Sequence, residues 1–157
     1  MKKLLLSFFL ISWASYALCQ TILFGKVIRV VDGDTFTLLD QRQRKLRIRL
    51  YGIDCPEHGQ AFANVAKKFT SDRVLNKEVR VEVRDTDRYK RIIGVILLPD
   101  RSVLNRELLK AGLAWHYVYH DRSRDYTELE ASAQSRKINI WSAKHPVAPW
   151  DFRRNKR

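Results

Sequence analysis

The chain has 157 residues, enough for one domain with a packed core, and shows no internal repeat or composition break that marks a second domain. Lys and Arg number 30 against 17 Asp and Glu, a formal charge of +13. Such an excess attracts polyanions over long range, but charge alone does not choose between nucleic acid and an anionic membrane surface.

Residues 1–19 carry the three-part pattern of a secretory signal: Lys2 and Lys3, an apolar run over 4–18, and small residues at Ala14, Ser15 and Ala17. Cleavage fits after Ala17 or after Cys19. A lipid-anchored Cys19 is the alternative, with Leu18 a poor small-residue position before it. The run is short for a membrane span of ~20 residues. If Cys19 leaves with the leader, Cys55 stands alone and no intramolecular disulfide forms. The expected product is exported, periplasmic or secreted, with no stable membrane association. It divides into a signal at 1–19, a folded domain at 20–150 and a basic tail at 151–157.

Residues 23–31 are rich in β-branched side chains, turn at Asp32-Gly33-Asp34, and resume as a strand over 35–39. Leu46, Ile48 and Leu50 alternate with Arg47, Arg49 and Tyr51, which puts the aliphatic set on the core face and the arginines on the other. Phe62, Val65, Ala66 and Phe69 recur at helical spacing. Val79, Val81 and Val83 mark a half-buried strand, and 92–98 is an apolar run of strand length. Ser102 can cap a helix carrying Leu104, Leu108 and Leu109, which Gly112 ends. Residues 115–119 read as extended, 126–137 as a last helix, and 138–150 as a docked tail followed by a loose basic end. Mainly β with interspersed helices, the chain is an α+β protein: a small five-stranded barrel with three helices, or, failing closure, a flat α+β sandwich.

Three short segments hold the chemistry. Asp34 and Asp54 end separate strands; brought together, their carboxylates would bind a hard cation such as calcium through oxygen. Pro56 biases Cys55 toward extended backbone, which could aim the Cys55 carbonyl at the same point, while its soft thiol is a poor calcium ligand. Seen alone, Asp32-Gly33-Asp34 is an ordinary hairpin turn. Arg49 and Arg91 offer planar guanidinium groups that fork onto phosphoryl oxygens. Glu57 could take a proton from an attacking water, or could only complement the dipole of a following helix. Tyr117 and Tyr119, two apart, share one face of a strand and could stack bases; Tyr89, between Arg88 and Lys90, could donate its hydroxyl to a neighbouring phosphate. His116 and His120 are four apart, but the stretch reads as extended and no Glu or Cys completes a zinc set.

In this order and spacing, Val31-Asp32-Gly33-Asp34-Thr35, the run from Arg49 to Glu57, Thr86-Asp87-Arg88-Tyr89-Lys90-Arg91, Gly112-Leu113-Ala114, Tyr117-Val118-Tyr119 and Asn139-Ile140-Trp141 resemble the thermonuclease (staphylococcal nuclease-like) family. The resemblance implies a five-stranded barrel of the oligonucleotide-binding (OB-fold) type with three helices. It implies calcium-dependent cleavage of DNA and RNA to 3′-phosphate products; the expected substrates are single strands in preference, and the expected state is a monomer. It assigns Asp34, Asp54 and the Cys55 carbonyl to calcium, and Arg49, Glu57 and Arg91 to catalysis. Arg88 and Tyr89 would bind a neighbouring phosphate, and Tyr117 and Tyr119 would flank a base. Two departures stand out. Lys90 occupies a place that is commonly glycine, and the loop after Glu57 is short. A noncatalytic nucleic-acid-binding OB-fold protein is the alternative from another class, and a basic envelope-associated protein a third reading.

Overall fold

The computed structural model describes residues 21–155. The leader pattern and Cys19 lie outside them. Five strands close into a barrel in the order β1 (Ile22–Val30), β2 (Thr35–Asp40), β3 (Lys45–Leu50), β6 (Ile92–Leu97), β5 (Glu78–Thr86). All neighbours are antiparallel except β3 and β6, which run parallel. This is the expected five-stranded OB-type barrel, and closure leaves none of the five as a free edge. Two further short strands, β4 (Ile53–Asp54) and β7 (Trp115–His116), pair beside it.

The period-two readings explain the wall. Val79 and Val81 on β5, and Ile48 and Leu50 on β3, are buried, joining Phe36, Leu38 and Ile96 in the barrel interior. Helix α2 (Leu104–Lys110) adds Leu104, Leu108 and Leu109 to the same core. Buried Asn105 ties that helix to the wall: its carbonyl oxygen accepts from the Ile96 amide at 3.1 Å, and its amide donates to the Tyr51 carbonyl at 2.9 Å. Fully satisfied, such a group fixes one packing of helix on barrel.

Several expectations differ in detail. Helix α1 (Ala63–Val74) buries Ala66, Thr70 and Val74, while Val65 is exposed. Ser102 does not cap α2; its amide and hydroxyl both donate to Asp100 in the preceding turn, and Val103 takes the cap position. Gly112 does follow the end of α2, at a left-handed φ of 62° where a side chain would strain. The extended aromatic segment stops at His116, because the chain turns just beyond it: the Tyr117 carbonyl accepts from the His120 amide at 3.0 Å and the Asp121 amide at 3.2 Å. After α3 (Arg124–Ser135), the chain forms a 3₁₀ turn at Asn139–Ser142 and a fourth helix, α4 (Pro149–Asn155), where a loose basic end was expected. Pro149 at its start, Asp151 in its first turn and Arg153 and Arg154 in its last all suit a helix. Among the described residues, no helix is long and apolar enough to cross a membrane.

Candidate active site

Three segments converge at one end of the barrel. The first is the β1–β2 turn. Asp32 Oδ1 accepts from the Asp34 amide at 3.1 Å, and the Thr35 hydroxyl donates to Asp34 Oδ1 at 3.1 Å. A Cβ at Gly33 would meet Cys55 Cβ at 2.7 Å and Ala66 Cβ at 2.9 Å, so only glycine lets the turn seat between these neighbours. The Gly33 carbonyl accepts from the Thr70 hydroxyl of α1 at 2.6 Å. An apparently ordinary Asp-Gly-Asp turn is therefore clamped from two sides.

The second segment runs from Arg49 to Glu57. Arg49 lies on β3, where Thr35 is its cross-strand partner. Its Nη1 donates to Asp34 Oδ1, and its Nη2 donates to Asp54 Oδ1 at 2.6 Å. Pairing of Asp54 with Trp115 across β4 and β7 holds the second carboxylate in place. The Cys55 amide donates to Asp34 Oδ2 at 2.6 Å. Asp34 and Asp54, each only 1% exposed, thus meet on one guanidinium although they close different turns. Burial pushes the Cys55 thiol well above its ordinary pKa of 9.0, so it stays protonated and uncharged.

Glu57 sits in the loop beyond. Its amide is held by the Gln60 side-chain carbonyl at 2.7 Å, and Gln60 also donates to the Val147 carbonyl at 3.0 Å. Helix α1 starts only at Ala63 and has no acid in its first turn, so the helix-dipole reading of Glu57 does not hold.

The third segment was not anticipated. Arg153 of α4 forks onto Asp54, with Nη2 to Oδ2 at 2.8 Å and Nη1 to Oδ1 at 3.3 Å, and Nη1 also donates to Glu57. Burial works against its charge, but Asp54 and then Glu57 outweigh that and raise its pKa further. The helix signature at 149–154 was the available signal; a run of Arg and Lys at a chain end masked it.

Arg91 stands just before β6. Parallel pairing of Ile92 with Ile48 and Ile93 with Arg49 sets it beside the Arg49 strand. Asp87 captures it from one side: Arg91 Nε donates to Oδ2 at 2.7 Å and the Arg91 amide to Oδ1 at 2.9 Å. Burial raises the Asp32 pKa, while Arg49 and, more weakly, Arg91 pull it down, so the positive field of both arginines reaches this turn. Lys90 adopts φ 59°, the left-handed backbone that its place in the turn suggested. Arg88 donates to the Tyr89 hydroxyl at 2.9 Å, and the Arg91 guanidinium lies 5.6 Å from the Tyr89 ring centre. Tyr117 and Tyr119 share a turn rather than a strand face, yet their rings remain 5.7 Å apart. Tyr117 also leans on Trp150 of α4 at 5.3 Å.

His116 is buried between Asp121 at 3.1 Å and the Thr127 hydroxyl at 3.2 Å, a polar core residue rather than half of a pair with His120. Among the described residues, no three His, Cys, Asp or Glu side chains cluster around a common point. What the cleft does offer is two buried carboxylates that share one guanidinium. That donor set suits a hard cation whose remaining positions are filled by backbone oxygens and water.

Residues 47–143 match the family model of staphylococcal nuclease homologues. The chain is 36% identical over 155 residues to an uncharacterized endonuclease of Escherichia coli, spanning 99% of both chains. It is 35% identical over 140 residues to a micrococcal nuclease of Shigella flexneri, spanning 83% of this chain and 80% of that one. An uncharacterized endonuclease of Haemophilus influenzae (strain ATCC 51907 / DSM 11121 / KW20 / Rd) is 34% identical over 132 residues, 84% of this chain and 74% of that one.

Proposed function

The chain belongs to the family of staphylococcal nuclease homologues, and from that premise we propose that it is a calcium-dependent, sugar-nonspecific endonuclease of DNA and RNA. The observation that carries this reading is the meeting of Asp34 and Asp54 on the Arg49 guanidinium. A barrel that merely bound nucleic acid would gain nothing from concentrating buried negative charge where a phosphate must approach.

In this reading Asp34, Asp54 and the Cys55 carbonyl hold the ion. When bound, such an ion would supply positive charge to the phosphoryl group and lower the pKa of water. Glu57 accepts the proton from the attacking water. Arg91 donates to the phosphoryl oxygens as charge builds on them, and Arg49, whose terminal nitrogens hold Asp34 and Asp54 in this structure, turns toward those oxygens when the carboxylates take the ion. Arg91 uses Nε on Asp87, which leaves its two terminal nitrogens for the phosphate. As water oxygen bonds to phosphorus, the bond to the 5′ oxygen breaks; that oxygen takes a proton from solvent water and leaves as a hydroxyl, and the phosphate stays on the 3′ side. Arg88 and Tyr89 take a neighbouring phosphate. Tyr117 and Tyr119 flank a base, which favours single strands because a stacking ring needs an unstacked base. The leader pattern adds export, and one chain carries every named group, so a monomer suffices.

The test is cleavage of single-stranded DNA and RNA by the protein lacking residues 1–19, with calcium and then with chelator, followed by end analysis. Activity on both that disappears on chelation and leaves 3′-phosphates is expected. Equal cleavage with and without chelator overturns the metal assignment, and binding without cleavage at any divalent ion overturns the enzyme.

A further inference from the structure

We propose that Arg153 is a tethered cation occupying the Asp54 carboxylate of the ion site, so that a divalent ion binds only as α4 gives up this contact. The inference rests on the reading of Asp34 and Asp54 as ion ligands. All four carboxylate oxygens of that pair are engaged. Asp34 Oδ1 takes Arg49 and Thr35, Asp34 Oδ2 takes the Cys55 amide, Asp54 Oδ1 takes Arg49 and Arg153, and Asp54 Oδ2 takes Arg153. An ion approaching Asp54 must therefore displace a guanidinium.

The two candidates for displacement are unequal. Arg49 is 17% exposed and projects from a strand paired on both sides. Arg153 is 44% exposed and projects from the last turn of a seven-residue helix. Arg153 is the one that can leave without opening the barrel. Its reach to Glu57 adds a second effect, since the carboxylate meant to receive a proton is also neutralised.

The same helix covers the base side of the cleft. Trp150 lies 5.3 Å from the Tyr117 ring and 5.9 Å from Trp115. One short element thus rests on both the ion carboxylates and a ring proposed to stack a base. Phe152 seats it further, lining an apolar cavity of about 220 Å³ with Pro56 and Trp115. Docked, α4 holds Asp54 and Glu57 together against their mutual repulsion. Undocked, it frees Asp54, Glu57 and Tyr117 at once.

Calcium binding by the chain lacking residues 1–19 decides the matter, followed by calorimetry and by tryptophan emission. Wild type should bind calcium with a change in emission as Trp150 leaves its neighbours, and Trp150→Phe should remove most of that change. Arg153→Gln should bind calcium about five- to tenfold more tightly, because a competing closed state is lost. Arg153→Lys, which keeps the charge but not the fork, should fall between, and serves if the glutamine variant folds poorly. Equal affinity in wild type and both variants, with unchanged emission, overturns the tethered-cation role while leaving the ion site standing. No calcium binding by any of them, with circular dichroism showing folded protein, removes the ion site and this inference together.

Discussion

Arg49 and Arg91 both hold carboxylates through their guanidinium groups, but over very different lengths of chain. Arg49 joins Asp34, fifteen residues back, to Asp54, five residues on, and is itself mostly buried. Its arrangement exists only because β2, β3 and β4 are assembled and Gly33 lets a turn dock. Arg91 pairs with Asp87 inside a single turn, with Tyr89 and Arg91 amides on the same carboxylate. The first is a product of the whole fold; the second is nearly self-contained. One region therefore ties function to global stability, and the other can be altered with little effect on folding.

The largest expected effect comes from Arg49→Ala. Removing Arg49 leaves buried Asp34 with no charged partner and Asp54 with Arg153 alone, at a cost of ~3 to 5 kcal/mol. Urea unfolding in chelator should show that loss, and saturating calcium should recover part of it. A change below about 1 kcal/mol would mean that the cradle does not depend on this guanidinium. Arg91→Ala should separate the regions: turnover falls roughly 10²- to 10³-fold, as for loss of one preorganised donor, while stability shifts by under about 1 kcal/mol. Equal damage to folding in both variants would erase the distinction between the two arginines.

What could be read from sequence follows the same division. The strands around Val79 and Val81, and around Ile48 and Leu50, were legible because alternation with period two is a local property. The left-handed backbone at Lys90 was signalled only by the resemblance, in which that place is commonly glycine. Tyr117 and Tyr119 were placed on a strand by their spacing alone. The turn that contains them closes on the Tyr117 carbonyl, which accepts from the His120 and Asp121 amides, and Asp121 in turn holds the buried His116, a contact that spacing does not show. Arg153 was the least legible of all. Its partners lie 99 and 96 residues earlier, and nothing near it distinguishes it from the solvated basic residues beside it. Ser102 shows a smaller failure of the same kind: a good cap residue was taken by Asp100, a competitor two positions away.

Smaller effects should come from the local turn. Burial would push the Asp87 carboxyl up, but hydrogen bonds from the Arg91 amide and guanidinium more than offset it and hold the pKa below 3.8. A carboxyl lowered in the folded state stabilises above its unfolded value and loses that contribution as pH falls through the folded value. Asp87→Asn should therefore cost up to about 1 kcal/mol at neutral pH. The gap to wild type should narrow on acidification below 3.8. A gap unchanged down to the acid transition would show that charge on Asp87 contributes nothing.

The smallest effect is expected at Lys90. Its φ of 59° places an L side chain where the backbone crowds Cβ. Glycine relieves that strain but gives the unfolded chain more freedom, so the two terms oppose each other. The net result of Lys90→Gly should be a gain of about 0.5 kcal/mol, read from the denaturation midpoint. Turnover should stay within about twofold of wild type, because Asp87 rather than the Lys90 side chain fixes the Arg91 guanidinium. A tenfold fall in turnover with a normal fold would instead give Lys90 a part in presenting Arg91 or in holding the substrate, and the turn would no longer be the self-contained unit that its hydrogen bonds describe.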